Sequence, residues 1–493
     1  MRELIPPGPL RTQYVELPSA TRNSAAGGLG AGNEQPRRGI TKRTRGYRIA
    51  GKYSASCPAK PFPHPHATMR ATSLLLFSLA ACSATHDSAG SKTAVAADSV
   101  SRSVIGGSKP VTSQVDSQQA ASTAIAQAPG APPPSGHFSP DVQKLRTDPS
   151  APIRGLYVNR FAAQSTKKMR HLLAIADSTE INAFVVDVKD EFGLNFASTD
   201  PLLQKNGGTQ TKVANMRALL DTINAHGILP IARIVVFKDS VTARMNPDHT
   251  IRKADGSPWR DKKGLTWVNP YANAIWEYNF RVAEEAVRMG FGEVQFDYIR
   301  FPEPYKSLPP QVFPESNGRG KTEALSEFLK AAKARMDKLG VRTTADIFGL
   351  VTTVGGALEV GQKWEPMVQS VDVVLPMVYP SHYPHGSFGI GKPNAEPYEV
   401  IHTAISRGRV RNEAIGLKGQ RVRPWLQAFT LGSPKYGPGE IEAQKKAVYD
   451  SGFDSWVLWN PGSSYDVFLP AFEKTVVSRA KNPAVPPKIT KFE

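Results

Sequence analysis

From Ile153 onward, short runs of β-type residues alternate with longer helical stretches, and this alternation constrains the fold more than any other feature of the chain. The runs are 153–158, 181–188, 228–236, 292–299, 341–348, 372–379, 422–429 and 454–459. Helices are expected between them, near 165–177, 212–226, 271–289, 321–339, 356–369, 396–408 and 438–451. A strand that always returns through a helix is the pattern of a parallel α/β fold. Glycines at His226-Gly227, Met289-Gly290, Leu339-Gly340 and Ser451-Gly452 fit helix C-terminal caps. Eight βα units in about 330 residues match a (β/α)8 TIM barrel, with an open doubly wound sheet as the runner-up. No Gly-x-Gly-x-x-Gly follows the first run, which counts against the open sheet.

The chain before residue 151 has a different character. Met69-Arg70 opens a short basic start, and the apolar run Leu74–Ala81 ends at Cys82. That run is far shorter than the ~20 residues needed to span a bilayer, but it suits a secretory signal. Leu79-Ala80-Ala81-Cys82 has the form of a bacterial lipobox, so Cys82 is the expected lipidation site of a cell-envelope lipoprotein secreted across the inner membrane. Since such signals work near an N-terminus, translation is expected to start at Met69, with 1–68 an upstream extension. Residues 83–150 are rich in Ser, Ala, Thr, Gln and Pro and nearly devoid of large apolar side chains. They cannot bury enough surface to offset their ordering entropy, and read as a disordered tether. Residues 151–477 form the barrel on this reading, and 478–493 a tail.

Composition narrows the function classes. The formal net charge of +18 resembles a nucleic-acid signature, but residues 1–68 hold eleven Lys/Arg against three Asp/Glu, while 151–493 hold 44 against 35. With nearly half of the excess in residues 1–68 and only +9 spread over the 343 residues of 151–493, no nucleic-acid partner is expected. Hydrophobic residues at 40% and charged residues at 21% rule out wholesale disorder. The only cysteines are Cys57 and Cys82, which excludes a disulfide scaffold and a cysteine zinc site in the barrel.

Barrel chemistry sits at the C-terminal ends of the strands. The second run ends in Asp187-Val188-Lys189-Asp190, and alternation places Asp187 and Lys189 on one side. In the fourth run Gln295, Asp297 and Ile299 share a face, and the fifth run carries Asp346 between apolar neighbours. A charged residue in such a setting is costly unless paired or used. Each of the three acids has a bland alternative, as a helix cap or the partner of Arg233 or Arg300. Trp259, Trp267, Tyr379, Tyr383, Trp425 and Trp459 fall at or beyond run ends, where flat apolar faces beside acids suit the C–H face of a sugar ring. Trp425 shares a face with Gln427. His226, His249, His382, His385 and His402 show no metal-ligand spacing, so neither metal nor cofactor is expected.

The segments Ile153–Val158, Val185–Asp190, Trp267-Val268-Asn269-Pro270, Phe296–Pro302, Leu375–Tyr383 and Arg423–Gln427 together resemble the bacterial putative glycosyl hydrolase domain family, once filed as a domain of unknown function. Phe-Asp-Tyr-Ile-Arg-Phe-Pro in the fourth run is the most specific of them. The resemblance covers roughly 150–477 and implies a glycoside-hydrolase-like barrel with a carbohydrate substrate. Such hydrolysis needs two carboxyl groups. The plan with Glu on strands 4 and 7 fails here, because the seventh run has no acid and the fourth does not end in Glu. Asp297 as nucleophile or base with Asp346 as general acid is more consistent, and Asp187 is the substitute. Substrate contacts are expected from Lys189, Arg233, Trp267, Asn269, Gln295, Arg300, Tyr379, Trp425, Gln427 and Trp459, in a monomer. A non-catalytic carbohydrate-binding barrel, a phosphate site in the Gly/Pro-rich 431–439 and a metal hydrolase are the competing readings.

Overall fold

A computed structural model describes residues 138–480; the signal-like segment, Cys82 and most of the tether lie outside the described residues. Eight strands form the barrel: β1 (Arg154–Val158), β2 (Ala183–Asp190), β3 (Leu229–Val235), β4 (Glu293–Asp297), β5 (Arg342–Phe348), β6 (Val373–Met377), β7 (Trp425–Gln427) and β8 (Trp456–Trp459). Each runs parallel to the next, and β1 pairs with both β2 and β8, which closes the sheet. The expected (β/α)8 barrel is therefore what the chain forms.

Strand alternation divides the apolar residues into two cores. Val186, Ile234, Phe296, Ile347 and Leu458 face outward to the helices, while Val185, Ile231, Leu375 and Val457 fill the interior. Branched apolar side chains usually dominate such an interior. Here charged side chains share it. Near the N-terminal end Glu293 accepts from Arg423 at 2.6 and 3.2 Å, with Arg342 at 3.6 Å. Near the C-terminal end, register sets Asp187 beside Arg233 and Arg233 beside Gln295.

Three local departures from the sequence reading have physical causes. Tyr298 takes a φ of +53°, so β4 stops at Asp297 and Ile299 joins the outer core instead of sharing the Asp297 face. The β2–β3 register slips between Asp187 and Lys189, a bulge that breaks strict alternation and turns Lys189 away from the Asp187 side. The seventh run shortens to Trp425–Gln427; Val422 makes only an isolated bridge to Val374, and Pro424 has no N–H for a ladder. Among the helices, 356–369 contracts to Trp364–Ser370 and 396–408 extends to Pro397–Ala414. Gly227 (φ +71°) and Gly290 (φ +120°) occupy the positive-φ positions expected at helix ends.

A further departure lies in the stretch assigned to the tether. Pro140–Thr147 is a helix, α1, with Pro at its start and the Ser139 hydroxyl accepting from Val142 N at 3.4 Å. Its Val142 and Leu145 are buried in the interior core with Ile153, Leu229, Ile231 and Val373. Arg342, at the start of β5, donates to the carbonyls of Leu145 and Arg146 at 2.6 and 2.9 Å. α1 thus covers the N-terminal end of the barrel. A helix of eight residues is marginal alone and holds by packing, which composition does not display.

Candidate active site

At the opposite end, Asp297 and its neighbours form a connected polar group. Arg233 donates to Asp297 Oδ2 from Nε at 2.9 Å and also from Nη2, and to Asp187 Oδ1 from Nη1 at 2.6 Å. One guanidinium therefore bridges two carboxylates, using the planar fork that makes Arg suited to such pairs. Tyr298 N donates to Asp297 Oδ1 at 2.5 Å, a contact made by the turn at Tyr298. Tyr157 Oη donates to Asp187 Oδ2 at 2.6 Å. The Tyr157 ring stacks on Trp459 with centroids 3.9 Å apart, and the guanidinium lies 5.5 and 5.2 Å from those two rings. Cation–π attraction adds to the ion pairs in holding Arg233.

Asp346, on β5, has a different setting. Gln295 Nε2 donates to its two oxygens at 2.8 and 3.0 Å, and Trp425 Nε1 donates to Oδ1 at 2.7 Å. Burial, and then the negative charge of Asp297, push its carboxyl well above the usual carboxylate range, against the opposing pull of Arg233. Both acids open onto one cleft, walled by Arg233, Tyr298, Arg300, Phe348, Trp459 and Phe429 among others. One carboxyl against a guanidinium and one pushed toward its neutral form is the division of labour that acid–base chemistry requires.

The rest of the cleft brings in residues the sequence reading passed over or weighed for another purpose. His382 lines it, packed edge-on against Tyr379 and Phe429, with Ser381 Oγ 3.0 Å from its Nδ1. Burial pushes its imidazole down to about 4, so the ring is neutral at ordinary pH. Burial, followed by the charges of Asp346 and Asp297, raises the Tyr379 phenol well above 10. Phe348, Met377 and Phe429 also line the cleft. Strand parity could have found them, since each lies two residues from a named candidate: Asp346, Tyr379 and Gln427.

Not every candidate reaches the cleft. Asp297, Asp346, Arg233, Arg300, Tyr379, Trp425 and Trp459 line it, whereas Asp187 lies behind Arg233. Lys189 pairs with Asp239 at 2.8 Å and donates to the Val235 carbonyl. Trp267 donates to Asp261 at 3.0 Å, and Asn269 to the Pro314 carbonyl, so both brace the long loop after β3. Gln427 accepts from Ser381 N at 3.0 Å and donates to the Phe429 carbonyl at 3.1 Å. These four have internal partners that account for their polar atoms. Among the described residues no group of three or more His, Cys, Asp or Glu could hold a metal ion.

A family profile described as "Putative glycosyl hydrolase domain" matches residues 155–465. No curated protein matches the chain. Among solved structures, a hypothetical protein from Ruminiclostridium thermocellum is 36% identical, covering 39% of this chain and 96% of its own, with a TM-score of 0.36. The PgaB (BpsB) glycoside hydrolase domain from Bordetella bronchiseptica is 12% identical over 66% of this chain and 99% of its own, at a TM-score of 0.47. An α-galactosidase from Thermus thermophilus is 13% identical over 64% and 59%, at 0.39.

Proposed function

Because the chain belongs to this glycosyl hydrolase domain family, we propose that it hydrolyses glycosidic bonds of a poly- or oligosaccharide, with Asp297 and Asp346 as the working carboxyl pair. The observation that carries the reading is the contrast between the two acids across one cleft: Asp297 against Arg233, Asp346 pushed toward its protonated form. Asp346 gives its proton to the glycosidic oxygen as the bond from that oxygen to the anomeric carbon breaks. Asp297 supplies the electron pair, either to the anomeric carbon directly or by taking a proton from water that attacks it. Arg233 orients Asp297 and is itself held by Asp187 and Tyr157, so Asp187 serves by position rather than as the second acid. The faces of Trp459, Phe348 and Phe429 offer apolar surface to the sugar ring. The module is carried on a tether from a lipid anchor at Cys82, at the cell envelope.

The test is reducing-end release from a panel of polysaccharides. Asp297→Asn should remove nearly all turnover with the fold intact, since the amide is nearly isosteric but cannot ionise. Asp346→Asn should cost least on substrates with good leaving groups, which need little protonation. Turnover by Asp297→Asn equal to that of the unaltered protein would sink the assignment.

A further inference from the structure

Three donor contacts converge on the Asp346 carboxyl, two from the amide of Gln295 and one from the indole of Trp425. An indole N–H has no lone pair and can only donate. The Gln295 amide could present either end, yet it presents nitrogen, and its own Oε1 is left buried without a hydrogen-bond partner. An unmade hydrogen bond at a buried carbonyl is destabilising, so the contact to Asp346 must outweigh it. Bonds to an ionised acceptor are roughly twice as strong as neutral ones, so this arrangement favours Asp346 in its carboxylate form. Both donors are buried, and they come from different strands: Gln295 from β4, opposite Thr344, and Trp425 from β7.

We propose that Trp425 and Gln295 are positioning residues that stabilise the conjugate base of Asp346, receiving its carboxylate when the proton leaves for the glycosidic oxygen. This rests on Asp346 acting as the acid in the reaction proposed above. In that step the Asp346 O–H bond breaks, its electron pair stays on the carboxylate, and the proton bonds to the oxygen that takes the electrons of the broken C–O bond. Burial and Asp297 keep the proton on the acid at rest. Without a counterweight, an acid so placed would hold its proton too tightly to donate it. The two N–H groups supply that counterweight, and the Trp425 indole is a fixed donor to the acid rather than a platform for sugar.

The experiment follows the Asp346 carboxyl-carbon NMR signal through a pH titration of the purified, Asp-labelled protein, the signal being assigned by its loss in Asp346→Asn. Trp425→Phe and Gln295→Met each remove a donor that favours the charged form, so each should raise the midpoint by about one pH unit. Far-UV circular dichroism checks the fold, and if Trp425→Phe does not fold, Gln295→Met carries the test alone. A midpoint that stays or falls in a folded variant overturns the assignment. No substrate is needed, so this result is separate from hydrolysis: unchanged turnover in Asp346→Asn would end the catalytic reading while leaving the titration to decide whether the two donors act on the carboxyl.

Discussion

An aspartate kept protonated by burial costs the folded protein something as the pH rises, and Asp346 is such a residue. Its folded-state value lies above that of the unfolded chain, so between the two the native state binds the extra proton. Stability from this group is therefore complete at pH below about 4 and is lost as the pH climbs through the raised value. Asp346→Asn cannot titrate, and should unfold at a higher denaturant concentration than the unaltered protein at pH 8, with the difference shrinking towards pH 4. A difference independent of pH in urea unfolding would mean that Asp346 is not held neutral. At this scale the sequence showed an acid between apolar neighbours on a strand, and that was enough to single out Asp346. It could not show that Trp425 and Gln295 hold the carboxyl, because those contacts join strands separated by 51 and 79 positions.

Elements were legible where local periodicity governs them and illegible where a partner element does. All eight strands lie within or close to their expected runs, because alternating βα composition is a local property. α1 was missed because only Val142 and Leu145 are apolar inward, and their burial needs the barrel end to exist. Leu145→Ala should lower stability by about 2–5 kcal/mol, the range for truncating a buried Leu. A version starting at residue 151 should unfold at lower urea than one starting at 138. Equal midpoints would show that α1 is dispensable. Lys189 teaches the same lesson in reverse: strict alternation placed it beside Asp187, and one bulge in β2 moved it to Asp239.

On the scale of the whole molecule, both ends of the described chain return to the N-terminal end of the barrel. Ile153 N bonds Ser455 Oγ at 3.0 Å, and Asp454, just before β8, accepts from Arg479 N and Ala480 N at 2.6 and 2.7 Å. The cleft is at the other end. A tether from a lipidated Cys82 would therefore join the barrel on the side away from its mouth. Protease cleavage between residues 83 and 137 should release the barrel from membranes with turnover unchanged, and mass spectrometry of the membrane-bound protein should find a lipid on Cys82 and no peptide from 1–68. Abundant peptides spanning Arg37 to Lys60 would contradict the start at Met69. The number and order of the eight barrel strands, and the acids at their ends, were determined by the sequence itself, since hydrophobic periodicity and the cost of burying charge act within a few residues; the short antiparallel strand Gly193–Leu194 against the end of β2 was not. Which acid sits on Arg233, which one burial neutralises, and which aromatic rings face the cleft rather than brace a loop were decided only by closure of the barrel. Closure brings side chains from distant strands within hydrogen-bonding distance and removes the water that would otherwise separate them.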